Sequence, residues 1–129
     1  MKKIIFLTLV SLFMMVSSAF ADQEKPVLLM FSASHCIFCK LFFRDIGVDG
    51  YNATKEGKIL PLKVIQLDTQ EGKRWYLIHH TLDEISYVNG TPIFIIYSNH
   101  HEIGRLEGYG GKDDFFEHLD EAMKQLNID

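Results

Sequence analysis

Apolar and polar positions along the 129-residue chain alternate between two periodicities. Val27-Leu28-Leu29-Met30-Phe31 is a continuous apolar run of strand length, which predicts a central strand buried on both faces. From Cys36 to Ile46 the spacing turns helical: Ile37, Leu41 and Phe42 lie at i, i+4 and i+5, and Phe38 widens the same face. Gly47 to Gly57 is polar and glycine-punctuated, and reads as a loop or irregular insert. Leu60 to Leu67 reads as a second strand. Glu71 to about Tyr87 reads as mixed, helical through Trp75-Tyr76-Leu77-Ile78, and Ile93 to Tyr97 reads as a third strand. Ser98-Asn99-His100-His101 then predicts a turn into a fourth strand, Glu102 to Glu107, paired as an antiparallel hairpin. A last helix begins at Asp113, with Phe115, Phe116, Leu119, Met123 and Leu126 on one face. Asp113 and Asp114 suit the positive end of that helix. The order β-α-β-α-β-β-α, with right-handed crossovers, predicts an α/β fold with helices on both faces of one mixed four-stranded sheet.

The N-terminus stands outside this pattern. Lys2 and Lys3 precede an apolar run from Ile4 to Val16, and Ala19-Phe20-Ala21 has the small-x-small form of a cleavage site. This reads as a secretory signal peptide over residues 1–21, leaving one domain over 22–129. A helix of those thirteen residues would reach about 20 Å, against roughly 30 Å for a bilayer core. Without the two leader lysines, eleven basic residues face seventeen acidic ones, for a net charge of −6. No basic patch points to nucleic acid as a partner. Export would place the protein outside the cytoplasm, where disulfides persist.

That setting sharpens the meaning of Cys36 and Cys39, the chain's two cysteines, which sit in Ser32–Lys40, "SASHCIFCK". A bridge between them closes a very short loop and would stabilise the fold little, which argues against a structural staple. The first cysteine falls where a buried strand passes into a helix. There, unpaired backbone N–H groups and the helix dipole favour the thiolate. With a pKa of about 8.5 only about 3% of a thiol is thiolate at pH 7, whereas a pKa of about 6.5 gives roughly 75%. Cys36 is therefore assigned as nucleophile. Cys39, one turn on, is assigned as the thiol that resolves a mixed disulfide. A second reading is a metallochaperone holding Cu(I) or Zn through Cys36, Cys39 and His35. Against it, none of the six histidines forms the H-x₃₋₅-H spacing of a zinc site. His79-His80 and His100-His101 are adjacent in sequence and point in different directions. No cofactor is expected. His35 has two readings side by side: an imidazolium that stabilises the thiolate, or a rim residue that touches substrate.

The element order and the Cys-x-x-Cys motif resemble the thioredoxin superfamily from about Pro26 to Leu126. Thr91-Pro92, just before the third strand, matches the family's proline. The resemblance implies that this proline is cis and faces the cysteines, and that the residue before it pairs with substrate backbone. Thr91, Pro92, His35, Ile37 and Phe38 are thereby implied as substrate-binding residues. Gly104-Arg105-Leu106-Glu107-Gly108-Tyr109 matches the family's junction between strand, glycine and last helix. The longer stretch "EIGRLEGYGGKDDFFEHL" is similar to the C-terminal signature of periplasmic thioredoxin-like proteins of bacterial sulfur-oxidation (Sox) clusters. The implied activity is thiol–disulfide exchange, reducing or isomerising disulfides of exported partner proteins. A membrane thiol donor would supply electrons, and the protein would act as a monomer. The chain departs from thioredoxin in having Ile37-Phe38 between the cysteines. Thioredoxin's buried Asp and Lys fall at Met30 and about Gln66. Losing both charges together is coherent, because a lone buried charge is costly.

Overall fold

The computed structural model describes residues 24–129, so the expected signal peptide lies outside the described residues. Strand β1 (Val27–Ser32) is followed by helix α1 (Ile37–Asp45), two short helices, α2 (Gly47–Asn52) and α3 (Lys55–Ile59), and strand β2 (Leu62–Gln66). Helix α4 (Gln70–Thr81), the hairpin β3 (Ile93–Ser98) and β4 (His101–Glu107), and helix α5 (Lys112–Gln125) complete the chain. The sheet order is β2-β1-β3-β4, with β1 parallel to β2 and the other neighbours antiparallel. This is the mixed four-stranded sheet of the thioredoxin fold.

Strand alternation divides the core in two. Leu28 and Met30 of β1, with Phe94 and Ile96 of β3, face a cluster completed by α1, α2 and α5. Leu29 and Phe31, with Ile93 and Ile95, face the opposite cluster, which Trp75 and Tyr76 of α4 cover together with Ile85 and Val88. The hairpin turn is a two-residue loop with positive φ at Asn99 (51°) and His100 (64°), the conformation that matches the strands' right-handed twist.

One expectation is corrected. Residues 47–57 are mostly helical rather than a loop. Tyr51 is fully buried and anchors α2, and Thr54 caps α3 by accepting a hydrogen bond from the Gly57 N–H at 3.1 Å. The glycine at 57 reflects close packing, not a turn: a Cβ there would stand 2.1 Å from the Tyr51 carbonyl oxygen. Helix α4 contains Trp75 to Ile78 as expected and stops at Thr81, so the stretch to Tyr87 is indeed mixed. Asp83 adopts φ 60°, its N–H reaches the His80 carbonyl at 3.0 Å, and the Glu84 N–H reaches that of His79 at 2.9 Å. This is a Schellman end built on aspartate where glycine is the usual residue. Residues 82–90 then cross to β3 as an irregular strap.

Two helical glycines give opposite predictions. Gly50 in α2 has open space where a Cβ would go, so Gly50→Ala should stabilise by about 0.5–1 kcal/mol. A Cβ on Gly72 in α4 would meet the Gln66 carbonyl oxygen at 1.8 Å, so Gly72→Ala should destabilise by about 1–3 kcal/mol despite alanine's helix propensity. Urea midpoints of the two variants read the sign directly.

Candidate functional site

Pairing of Phe31 with Ile93 sets the end of β1 beside the start of β3. The loop 33–36 leaves β1 at that end of the sheet, and Thr91-Pro92 enters β3 there. Cys36 is the N-cap of α1, with extended backbone (φ −86°, ψ 108°). Its Sγ accepts a hydrogen bond from the Cys39 N–H at 3.1 Å, so an otherwise unpaired donor of the first turn points at sulfur. Cys36 and Cys39 are joined as a disulfide, with Cα atoms 5.2 Å apart. Cys36 is 9% exposed and Cys39 1%, so an incoming group meets Cys36 first. Between them, Ile37 (70%) and Phe38 (55%) project into solvent.

The Thr91–Pro92 peptide is cis. Pro92 is buried, Thr91 is half-buried, and the Pro92 carbonyl accepts from the Gly108 N–H at 2.8 Å. Gly108 closes β4, so the hairpin holds this peptide against the sheet.

Beneath the cysteines the floor is apolar. Met30 is fully buried in the cluster that contains Cys39, Phe42 and Phe94. Across the β1–β2 pair, Met30 lies opposite Val64, and Gln66 lies opposite Ser32. The position beside Met30 on β2 is therefore aliphatic. Among the described residues the buried polar or charged side chains are Ser32 and Glu56, and Glu56 in α3 lines a surface pocket together with Asp120 of α5.

The titratable groups on the loop lie at its rim. His35 is exposed. Asp68, just beyond β2, accepts from the Ser34 N–H at 3.0 Å, and the Ser34 hydroxyl donates to the same carboxylate oxygen. The Ser34 N–H, first among several causes that include the Gln66 side chain and the charge of His35, holds the Asp68 carboxyl below the usual carboxylate range. This clamp fixes the loop that delivers Cys36. The sequence showed Ser34 and Asp68 only as two polar residues 34 positions apart, with no signal to connect them.

Four of the other histidines have local partners, His100 among them with its Nδ1 3.8 Å from Glu84 Oε1. His79 stacks on Trp75 (3.9 Å between centroids) and hydrogen-bonds Glu84; His80 bonds the Ile85 carbonyl, and His118 the Asp114 carbonyl. Among the described residues, no group of three His, Cys, Asp or Glu side chains is arranged to hold a metal ion.

A Cys-x-x-Cys pair opening the first helix of this fold defines the class of thiol–disulfide oxidoreductases. The chain belongs to the thioredoxin-like domain family, whose sequence profile matches residues 15–123. Among solved structures it is similar to the periplasmic thioredoxin SoxS from Paracoccus pantotrophus in its reduced form, at 27% identity and a TM-score of 0.60. That match covers 78% of this chain and 98% of SoxS. The fold is shared with a Malassezia sympodialis thioredoxin, at 17% identity, TM-score 0.56, and 77% and 78% coverage of the two chains. It is also shared with spinach chloroplast thioredoxin f, at 21% identity, TM-score 0.52, and 77% coverage of each chain. No curated protein matches the chain. Among the described residues no helix is long and apolar enough to cross a membrane.

The clamp has a pH signature. Asp68's folded-state pKa lies below its unfolded value, so its contribution to stability is present above the unfolded pKa and is lost as pH falls through the folded pKa. The urea midpoint of Asp68→Asn should therefore fall less steeply than wild type below about pH 4. Parallel curves would show that the clamp adds nothing to stability.

Proposed function

We propose that the protein is exported to the periplasm and there reduces disulfides of partner proteins through the Cys36–Cys39 couple. The observation that carries the reading is the asymmetry of the pair: the more exposed sulfur sits at the helix start with an N–H aimed at it, and its partner is buried one turn on. Export is supported by Lys2-Lys3, the apolar run Ile4–Val16 and Ala19-Phe20-Ala21, together with the likeness to a periplasmic thioredoxin.

In the reduced protein, the Cys36 thiolate attacks one sulfur of the partner disulfide. A mixed disulfide forms and one partner thiolate leaves. Cys39, once deprotonated, attacks Cys36 Sγ and expels the second partner thiolate. The partner gains two electrons and two protons, and Cys36–Cys39 is left oxidised. A membrane thiol carrier returns two electrons and reopens the pair. The helix N-terminus stabilises the Cys36 thiolate as both nucleophile and leaving group. The backbone of Thr91, ahead of Pro92, pairs with an extended segment of the partner. Ile37, Phe38 and His35 line the approach, and the protein acts as a monomer.

Two measurements test this. Cys39→Ser incubated with insulin should accumulate a reducible covalent adduct through Cys36, at least about tenfold over Cys36→Ser. Equal adducts from both variants would sink the role assignment. The reduction potential of the couple against glutathione should lie towards about −270 mV, the reducing end of the range. A value near about −120 mV would make the protein an oxidant.

A further inference from the structure

The strap 82–90 ends at the Thr91–Pro92 peptide, so its shape sets where Thr91 stands. Ile85 and Val88 plug it into the sheet face that carries Phe31 and Ile95. Its backbone polar groups, however, are met largely by side chains from other elements. The Val88 N–H donates to the Tyr76 hydroxyl at 3.0 Å, and the Ser86 N–H to Glu102 Oε1 at 3.2 Å. The Ser86 and Tyr87 carbonyls both accept from Arg105, at 3.0 and 2.9 Å.

Arg105 lies on β4, opposite Ile95, and its guanidinium is used on two sides. Nε and Nη2 grip the Glu102 carboxylate in a two-pronged pair, each at 2.8 Å, while Nη1 and Nη2 hold the strap's two carbonyls. Both side chains of the pair are mostly buried, 17% and 16% exposed. Glu102 closes the ring, because its own N–H donates to the Glu84 carbonyl at 2.8 Å. A planar fork of donors is required here. A lysine ammonium could not span the carboxylate and two carbonyls in one plane.

We propose that Arg105, braced by Glu102, is a positioning residue: it fixes the strap so that the Thr91 backbone is held ready to pair with a protein substrate, and it thereby sets affinity for extended polypeptide disulfides without acting on the cysteines. The inference rests on the reading of Thr91 as the substrate ledge. It separates two quantities that a general loss of structure would lower together. A small, unhindered disulfide needs only the sulfurs, whereas a polypeptide disulfide needs the ledge as well.

Arg105→Met keeps the apolar stem and removes the fork; Arg105→Lys keeps the charge and removes the fork. Insulin, with dithiothreitol as electron source, is the polypeptide probe, and 5,5′-dithiobis(2-nitrobenzoate) is the small one. Both variants should raise KM for insulin about five- to tenfold with little change in kcat. The rate of the reduced protein with the small disulfide, and the Cys36–Cys39 potential, should stay at wild-type values. An insulin KM within about twofold of wild type would overturn the proposal. So would a parallel fall in the small-disulfide rate, or rescue by lysine. Should Arg105→Met fail to fold, Arg105→Lys decides on the same readouts. Wild-type turnover of insulin tests the function proposed above, whereas the ratio of variant to wild type tests the strap. If the wild type passes electrons the other way, that ratio is read with a reduced dithiol peptide.

Discussion

The site depends on Phe42. A nine-residue helix such as α1 is too short to be stable alone in water, so its placement must come from tertiary contact. Phe42 is fully buried and touches three rings from three places: Phe94 on β3 (5.1 Å), Tyr109 after β4 (5.6 Å) and Phe115 on α5 (5.3 Å). Burial of such a ring contributes about 1.5–3 kcal/mol, and each well-placed aromatic pair about 0.5–1.5 kcal/mol more. The Tyr109 hydroxyl also donates to Asp45 at the far end of α1, at 2.9 Å. With its middle and its end held, the helix can present Cys36 at a fixed N-terminus. The thiolate-favouring geometry is thus a product of packing on the other side of the same helix.

The apolar floor decides which forces act on the sulfurs. The resemblance places thioredoxin's buried Asp and Lys at Met30 and about Gln66, and neither residue here is charged. Here Met30 and Val64 face each other across β1 and β2. Removing one charge alone would strand the other in a low-dielectric interior, at a cost of about 3–5 kcal/mol, whereas replacing both by apolar side chains is often neutral. Without a charged pair below, the fields at Cys36 come from the helix start and from rim groups such as His35 and Asp68.

Much of this was legible in the sequence, and the exceptions share a cause. The unbroken apolar runs of β1 and β3, the face of α5 and the cysteines at a strand–helix junction are local patterns, and each appears where the pattern put it. The helices at 47–59 escaped because their cause is distant: Tyr51 is buried under α5, and Asn52 accepts from the Leu62 N–H ten residues on. The stretch after Ile78 read only as mixed, because aspartate ends α4 where glycine is the usual signal. Register is not written in a strand's own pattern, so that Val64 stands opposite Met30 emerges only in the folded sheet. The Ser34–Asp68 clamp and the Arg105 fork were hidden for the same reason, since each joins residues that only the folded sheet brings together.

These distant pairings also organise the work of the molecule. The helix bearing the cysteines packs on one face of the sheet, burying Cys39 and Phe42 among Met30 and Phe94. The strap leading to Thr91 packs on the other face, burying Ile85 and Val88 among Phe31 and Ile95. The central strands β1 and β3 serve both faces, and they bring the two segments together where Phe31 meets Ile93. Packing changes on the first face bear on the helix that presents the sulfurs; those on the second bear on the strap and the peptide before Pro92. Because the sheet separates the two clusters, packing around the cysteine-bearing helix and packing around the strap can vary with little interference. A change in the β1–β3 pair itself would disturb both at once.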